Sequence, residues 1–264
     1  MPKSLVEQQF GPSARAYAEC EVHRSGASLS RLVEVVAPQS DWRVLDVATG
    51  AGHTAAIFAP HVAHVVASDI TQEMLTETRA LADERQLSNI STTTAEAHTL
   101  AFEPESFDLV TCRLAAHHFA DIEQFLAAAR RVLKEGGVIA VVDNIPPDAR
   151  TIPDLSESEE ITGAQAYNDF ERLRDPSHAR ALSATEWKTI LERQGFELRA
   201  EEMMEKEMAF QPWVERMHCS NETVNTLRAI LAAPSRLSAF FKPRDVDGQP
   251  QLTLRESIFV AVRT

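Results

Sequence analysis

The fold of this 264-residue chain is decided by the stretch Val44-Leu45-Asp46-Val47-Ala48-Thr49-Gly50-Ala51-Gly52-His53-Thr54. Its first residues are apolar and β-branched, which predicts a strand, and the small residues that follow predict a tight loop before a helix. Gly50 and Gly52 let the backbone approach a ligand closely, and the first helical turn offers N–H groups without intrahelical partners. The stretch therefore predicts a binding loop for a nucleotide-like cofactor.

The acid upstream of this loop narrows the choice of cofactor. The spacing Gly50-x-Gly52-x-x-Ala55 also fits the dinucleotide fingerprint, so a nicotinamide-dependent oxidoreductase is one alternative. In that fingerprint the loop faces a pyrophosphate, which the Asp46 carboxylate would repel. A carboxylate here suits a ligand with an amino group and a cationic sulfur, which favours S-adenosylmethionine.

Composition bounds the class of partner and the compartment. The formal net charge of −13 argues against a nucleic-acid partner and favours a small substrate. Three scattered cysteines without a C-x-x-C pair predict neither a disulfide framework nor a metal site. We find no apolar run long enough for a signal peptide or a membrane span, so we expect a cytoplasmic protein. No pattern indicates an oligomeric state.

Alternating strand-like and helix-like segments predict an α/β fold. We expect a Rossmann-like, seven-stranded, mostly parallel sheet with helices on both faces. The predicted strands are residues 43–48, 63–69, 90–94, 108–113, 137–143, 196–203 and 252–262, the last entered through an Asp247-Gly248 turn. The predicted helices are residues 52–58, 72–85, 121–134 (stopped by Gly136 and Gly137), 163–173, 186–194 and one or two over 212–231.

We expect residues 1–264 to form one domain with three parts. Residues 1–40 form a helical N-terminal arm, residues 41–145 the cofactor-binding core, and residues 146–264 a substrate cap with the strands that complete the sheet. Phe10 and Tyr17 of the arm either pack on the core or belong to a lid over the binding site.

Four motifs occur in order along residues 40–143. They are Asp46-x-Ala48-x-Gly50-x-Gly52, Asp69-Ile70, Ala95-Glu96-Ala97 and Arg131-Val132-Leu133-Lys134-x-Gly136-Gly137. Together they resemble the class I S-adenosylmethionine-dependent methyltransferases, type 11 group, related to the methyltransferases of ubiquinone and menaquinone biosynthesis. The resemblance implies S-adenosylmethionine as cofactor and a small-molecule acceptor methylated on carbon, oxygen or nitrogen. A cyclase, lyase or binding module of the same fold remains an alternative, since fold does not fix function.

The resemblance also implies roles for the first motif. Asp46 balances the methionine ammonium group, directly or through water. Gly50 and Gly52 let the loop lie against the cofactor. Backbone contacts are implied for Val47, Ala48 and Thr49. The family pattern usually has glycine where Ala48 stands, and alanine is the smallest substitute.

Asp69 follows the second strand, about 20 residues after the glycine loop. An acid at this position accepts hydrogen bonds from both ribose hydroxyls, since its two oxygens match two vicinal donors. The resemblance places Ile70 and Met74 beside the adenine, although Met74 in a helix core is the plainer interpretation.

The third motif departs from the family pattern, which often has an acid where Thr94 stands. That departure removes a carboxylate contact to the adenine amino group through residue 94. The backbone of Ala95 and Ala97, or the side chain of Glu96, takes this role instead, and we favour Glu96.

The segment after the fourth strand lies where the family places residues between the methyl group and the acceptor. Arg113 is a partner for the methionine carboxylate or for a substrate acid. His117 and His118 are candidate catalytic bases, because imidazole titrates near neutral pH, or they simply pack at a helix start. His178, in a polar turn of the cap, is a third candidate base. Asp143, at the end of the fifth strand, lies on the same rim.

Overall fold

A computed structural model describes residues 4–19, 26–149, 151–152 and 156–264. In the described part the strands are β1 (Arg43–Val47), β2 (His64–Asp69), β3 (Ile90–Thr94), β4 (Phe107–Arg113), β5 (Leu133–Asn144), β6 (Phe196–Ala209), β7 (Arg244–Val246) and β8 (Gln249–Arg263). The α-helices are α1 (Leu5–Phe10), α2 (Ala14–Glu19), α3 (Ala27–Val36), α4 (His53–Phe58), α5 (Gln72–Glu84), α6 (Ile122–Val132), α7 (Glu157–Arg174), α8 (Ala184–Arg193), α9 (Phe210–Glu215), α10 (Asn221–Ala232) and α11 (Arg236–Phe241). Short 3₁₀ turns cover Ala59–His61 and Ala116–His118.

The sheet has the strand order β3-β2-β1-β4-β5-β8-β6. Strands β1 to β5 pair in parallel, and β8 runs antiparallel to both β5 and β6. The predicted Rossmann-like, seven-stranded, mostly parallel sheet is therefore confirmed. The structure adds an eighth, short strand, β7, which forms a hairpin with β8 through the predicted Asp247-Gly248 turn.

Alternation along the strands buries both faces of the sheet. In β1, Leu45 packs in a cluster with α6 and α8, whereas its neighbour Val44 packs with α3 and α4. Phe125 of α6 and Phe58 of α4 are fully buried on these two faces. Helices thus cover both faces, as the alternating pattern predicted.

The start of β5 differs from the prediction. Helix α6 ends at Val132 and Leu133 already pairs with Phe107, so a helix to residue 134 and a strand from residue 137 were wrong. The ladder is interrupted and resumes at Val138, with Gly136 in the left-handed region at φ +70°. The Gly136-Gly137 pair therefore bends a strand instead of ending a helix.

The cap has a hydrophobic cluster of its own. Strand β6 extends past the predicted residue 203 to Ala209, and Met208 at its end joins Tyr167 of α7 and Trp213 of α9. Leu252 and Leu254 of β8 complete this cluster. The two longest strands therefore run from the core sheet into the cap. Among the described residues, no helix is long and apolar enough to cross a membrane.

Candidate active site

The loop after β1 turns through three left-handed residues, with φ of 52° at Ala48, 56° at Gly50 and 84° at Gly52. A Cβ atom added to Gly52 would lie 2.7 Å from Thr78 Cγ2, whereas one added to Gly50 would meet nothing within 4 Å. Gly52 is thus required by the packing of α5. Of the two glycines, Gly50 lines the cavity described next, and contact of Gly52 with the cofactor stays a prediction.

A cavity of about 280 Å³, here called the rim cavity, lies at the carboxyl ends of β1 to β4. It occupies the point between β1 and β4 where the strand order reverses, the usual ligand position in open parallel sheets. The predicted residues on its wall are Ala48, Thr49, Gly50, Asp69, Ile70, Met74, Ala95, Glu96, Ala97, Arg113 and His118.

Asp69 presents a fixed carboxylate to the rim cavity. Its Oδ2 accepts the N–H of Gly50 at 2.9 Å and its Oδ1 accepts the N–H of Thr71 at 2.8 Å. Burial raises the pKa of this carboxyl, and the two backbone N–H groups oppose that shift. Each oxygen retains acceptor capacity. Asp69 therefore suits a ligand with two neighbouring hydroxyl groups.

Asp46 lies beneath the loop, away from the wall of the rim cavity. Its oxygens accept the hydroxyls of Thr49 at 2.5 Å and Thr111 at 2.7 Å. Burial raises its pKa to about 6, against the opposing effect of these hydroxyls. Val47 is equally buried in the sheet core. Each Asp46 oxygen accepts one hydroxyl and keeps further acceptor capacity, so contact with an ammonium group, directly or through water, stays a prediction.

Glu96 is held by its own loop. Its Oε2 accepts the N–H of His98 at 2.9 Å, and its Oε1 lies 2.5 Å from His98 Nδ1. The other ring nitrogen of His98 accepts the N–H of Asp121, the N-cap residue of α6. Ile70 and Met74 supply apolar surface on the same wall. The loop thus joins apolar surface to a carboxylate whose oxygens are already hydrogen-bonded.

Arg113 is the cation of the rim cavity. It ends β4, and its Nε donates to Ser28 Oγ at the start of α3, at 3.3 Å. Burial lowers its pKa, whereas Glu256 and Asp46 raise it. A largely buried guanidinium on this wall suits a carboxylate ligand.

The N-terminal arm closes part of the rim cavity. Ser4, Val6 and Phe10 line it, and the Phe10 ring packs edge-on against His118 with centroids 5.0 Å apart. This arrangement corresponds to the lid interpretation of Phe10. The Tyr17 side chain lies outside the part of the chain that the structure describes.

The three candidate histidines form one cluster. The His117 ring centroid lies 4.2 Å from that of His118 and 5.4 Å from that of His178. His117 Nδ1 lies 2.5 Å from Asp143 Oδ1, so this N–H donates to the carboxylate and Nε2 remains a proton acceptor. His178 instead stacks behind His117, with Nε2 2.7 Å from Asn168 Oδ1. His178 lines neither cavity, and its role as a catalytic base stays a prediction.

The surroundings of these three histidines shift their pKa values in different directions. Burial lowers the pKa of His117. Asp143 and, more weakly, Glu171 raise it, and the net result is a pKa above the ordinary value. Burial, followed by the charge of His117, lowers the pKa of His118 to about 3 and that of His178 to about 2. His117 is therefore the member of the cluster whose environment favours the protonated form.

A second, smaller pocket of about 60 Å³, here called the cap pocket, lies on the other side of Phe10, Leu114 and His118, which line both. His117 lines only the cap pocket. The remaining wall residues are Asn144, Arg174, Asp175, Lys206, Met208, Trp213, Arg216 and Leu254. Sequence reasoning missed the charged cap residues, because they come from α7, β6 and the end of α9 and share no local motif.

A glycine loop after β1, an acid at the end of β2 and a cation at the end of β4 lie at the switch point of this sheet and form a ligand site of the Rossmann-like class. The comparisons identify the family. A model of the methyltransferase domain matches residues 45–141. Over 184 residues the chain is 34% identical to the uncharacterized methyltransferase YcgJ of Bacillus subtilis (strain 168), covering 70% of this chain and 68% of YcgJ.

Two further comparisons agree. Over 115 residues the chain is 34% identical to the ubiquinone/menaquinone biosynthesis C-methyltransferase UbiE of Paracoccus denitrificans, covering 42% of this chain and 46% of UbiE. A crystal structure from Bacillus halodurans C-125 superposes with a TM-score of 0.81 at 34% identity, covering 90% of this chain and all of that one. The chain belongs to the class I S-adenosylmethionine-dependent methyltransferases, related to UbiE, and its cofactor is S-adenosylmethionine.

Proposed function

We propose that this methyltransferase acts on a small-molecule acceptor that occupies the cap pocket, with His117 as the general base. The observation that carries the proposal is the junction of the two cavities at Phe10, Leu114 and His118. The cofactor side of the junction carries the family motifs, and the other side carries His117 with its Asp143 partner. Donor and acceptor then meet across a shared wall.

The rim-cavity residues fit S-adenosylmethionine. Asp69 holds the ribose hydroxyls, Gly50 permits close approach, Ile70 and Met74 flank the adenine, and Arg113 pairs with the methionine carboxylate. When bound, S-adenosylmethionine supplies an electrophilic methyl group, which a lone pair of the acceptor displaces from sulfur, leaving S-adenosylhomocysteine.

His117 accounts for the proton that a neutral acceptor loses. Its Nε2 takes that proton, and the imidazolium that forms is stabilised by Asp143 through the Nδ1–H bond. His178 stacks on the His117 ring, with ring centroids 5.4 Å apart. An acceptor hydroxyl, amine or activated carbon each meets this requirement. The C-methyltransferase activity in the name of UbiE makes a carbon acceptor one candidate.

The rest of the catalytic effect comes from positioning. Methyl transfer is an in-line displacement, so holding the acceptor in a dry site supplies much of the barrier reduction. Phe10 and Leu114, at the junction, exclude water there. Chain segments from the arm, β4 and the cap thereby close around the reacting groups.

Binding and turnover measurements test the proposal. We expect calorimetric titration to show binding of S-adenosylhomocysteine and none of NAD, and Asp69→Asn to weaken S-adenosylhomocysteine by about tenfold or more, because a charge-assisted hydrogen bond contributes roughly 1.5–3 kcal/mol. Asp108→Asn is the matched control, since Asp108 bonds Lys134 Nζ and the Arg43 N–H at the other end of β4.

Transfer itself is measured with methyl-labelled S-adenosylmethionine and a panel of hydroxyl, amine and activated-carbon acceptors. The label should move to at least one acceptor class. Binding of S-adenosylhomocysteine without any label transfer across the panel would favour the non-methylating alternative, and binding of NAD alone would overturn the cofactor assignment.

A further inference from the structure

We infer that Leu114 is a specificity-determining residue, whose side chain limits the group on the cofactor sulfur to methyl at the junction of the two cavities. The inference rests on the proposed function, which places the cofactor in the rim cavity and the acceptor in the cap pocket. Leu114 is one of the three residues that line both. Its backbone conformation, its packing and its position beside Arg113 support this role.

The backbone of Leu114 is left-handed, with φ of 54°. Its N–H donates to the carbonyl of Val142 in β5 at 2.7 Å, so this position is held against the sheet. Beyond it the chain enters the 3₁₀ turn Ala116–His118. Glycine adopts a left-handed conformation readily, whereas leucine is strained there. The turn by itself therefore favours glycine, and strain of this kind is concentrated at functional sites.

Packing in the hydrophobic core does not account for the Leu114 side chain. Among the described residues it belongs to none of the three hydrophobic clusters, and it is only half-buried. Leu100 is a second leucine with a positive φ, of 38°, and it is fully buried in the core cluster beside Phe107. Core packing compensates for the strain at Leu100. The Leu114 side chain lies at the cavities instead.

The position of Leu114 in the chain brings it near the cofactor sulfur. In the proposed function, Asp69 at the end of β2 holds the ribose, and Arg113 at the end of β4 pairs with the methionine carboxylate. Strand β1 lies between β2 and β4, so the cofactor spans the carboxyl end of β1. The sulfur joins the ribose carbon to the methionine side chain and therefore lies between these two anchors. Leu114 directly follows one of them.

The junction is lined by uncharged groups. Phe10 and His118 pack edge-on there, with ring centroids 5.0 Å apart. Burial, followed by the charge of His117, lowers the pKa of His118 to about 3, so its imidazole is neutral at pH 7. The group on sulfur faces this junction, because an in-line displacement requires it to point at the acceptor. Leu114 is the aliphatic side chain on its path.

The fixed backbone of Leu114 makes its side chain a size limit. Methyl is the smallest alkyl group that the sulfur carries, and a longer one has to enter the space of the Leu114 side chain. The hydrogen bond to Val142 keeps the Leu114 backbone from moving away. Leu114 therefore discriminates against longer groups and keeps the methyl carbon at the edge of the cap pocket.

Calorimetric titration with a homologous series of cofactors tests the inference. The probes are S-adenosylmethionine and its analogues with ethyl or propyl in place of methyl, which all carry the same sulfonium charge. S-adenosylhomocysteine lacks this group and reports the affinity of the rest of the site. We expect the native protein to bind the propyl analogue about tenfold or more weakly than S-adenosylmethionine, since one methylene in a fitted pocket changes binding by about tenfold or more.

Variants assign the discrimination to Leu114. Leu114→Ala should bring the affinity for the propyl analogue within about threefold of that for S-adenosylmethionine. Its affinity for S-adenosylhomocysteine should stay within about threefold of the native value. Leu114→Gly should behave alike, and it is the second variant if Leu114→Ala unfolds, because glycine relieves the left-handed strain. Leu173→Ala is the matched control with native discrimination, since Leu173 is 45% exposed and lines neither cavity.

Each outcome has a definite meaning. Native discrimination in both Leu114 variants, with S-adenosylhomocysteine still bound, overturns the inference and leaves the proposed function standing. Equal binding of the three alkyl cofactors by the native protein does the same, as does relaxed discrimination in Leu173→Ala. A large loss of S-adenosylhomocysteine affinity in both Leu114 variants also overturns the inference, because Leu114 then serves the whole cofactor. A native protein that binds neither S-adenosylhomocysteine nor S-adenosylmethionine refutes the proposed function and the inference with it.

Discussion

At the scale of single residues, the protonation of His117 controls the proposed reaction. Its pKa lies above the ordinary value of 6.5, because burial lowers it less than Asp143, Glu171 and Asp175 together raise it. The reactive form is neutral imidazole, so kcat/KM should rise with pH through a value above 6.5. His117→Gln should remove this limb and lower kcat by roughly 10²–10⁴-fold, the usual contribution of a general base.

The control for that variant is His64→Gln, at the opposite end of the sheet, where His64 contacts Ser91. Affinity for S-adenosylhomocysteine should stay near the native value in both variants. Full turnover by His117→Gln at every pH would exclude His117 as the base.

The raised pKa of Asp46 predicts that the free energy of unfolding depends on pH. Its pKa is about 6 in the folded protein against an ordinary 3.8, so the folded state takes up a proton at higher pH than the unfolded chain. Its contribution to stability is therefore lost as pH rises from about 4 to about 6, by about 3 kcal/mol in all. Asp46→Asn removes this titration.

Denaturant unfolding of both proteins at pH 4 and pH 7 measures the effect. The free energy of unfolding of Asp46→Asn, relative to the native protein, should increase by up to about 3 kcal/mol between the two pH values. A difference that is the same at both pH values would show that Asp46 titrates normally.

Substitutions of Gly50 and Gly52 by alanine should differ in their effects on stability and on affinity for S-adenosylhomocysteine. Gly52→Ala brings a Cβ to 2.7 Å from Thr78 Cγ2 at a left-handed position and should cost about 2–4 kcal/mol of stability. Gly50→Ala meets open space on the rim cavity and should cost about 1 kcal/mol, but weaken S-adenosylhomocysteine severalfold. Thermal unfolding and calorimetry separate the two. Equal loss of stability in both variants would contradict this assignment.

At the scale of elements, local patterns predicted the parts whose partners are near in sequence. The β-branched run Ile90–Thr94 predicted β3 at its observed bounds, and the helical pattern of residues 72–85 predicted α5 within one residue. The bend in β5 was missed, since Gly136-Gly137 signals a helix stop and a strand bulge equally well. The extension of β6 to Ala209 was missed because its partner, β8, lies 42 or more residues away in the ladder.

Helix α1 tests whether the arm contributes to binding. Ser4 and Glu7 cap each other at its start, and Phe10 at its end reaches both cavities. Phe10→Ala should weaken S-adenosylhomocysteine by roughly fivefold, since loss of a partly buried ring is worth about 1 kcal/mol. Leu5→Ala on the same helix is the control, because Leu5 is 60% exposed. Equal effects of the two substitutions would mean that the arm does not cover the cofactor.

At the scale of the whole molecule, the site joins residues that no local pattern connects. The glycine loop and Asp69 were predicted because each follows a strand that its own sequence defines. The pairing of His117 with Asp143 follows from the neighbouring positions of β4 and β5 in the sheet. Lys206 enters the cap pocket only because β6 pairs with β8 beyond the core. Such proximity depends on topology, which periodicity does not specify.

Because β6 and β8 run from the core sheet into the cap, we expect the core and the cap to unfold together. Strand β8 contributes Ile258 to the core cluster beside β1 and Leu252 to the cap cluster, so neither cluster can lose β8 without exposing the other. The chain has three tryptophans. The fluorescence of Trp187 reports on unfolding of the core, and that of Trp213 on unfolding of the cap, because each is buried in the corresponding cluster.

Variants that keep one of these tryptophans, with the other two changed to Phe, test this cooperativity. In urea, the fluorescence transition of each variant should coincide with its own far-ultraviolet circular dichroism transition, as expected for a single cooperative unit. S-adenosylhomocysteine at 100 times its Kd should raise both stabilities by the same amount, about 2.7 kcal/mol, because binding to the native state stabilises the whole unit. An earlier Trp213 transition that S-adenosylhomocysteine does not shift would show that the cap unfolds as a domain of its own.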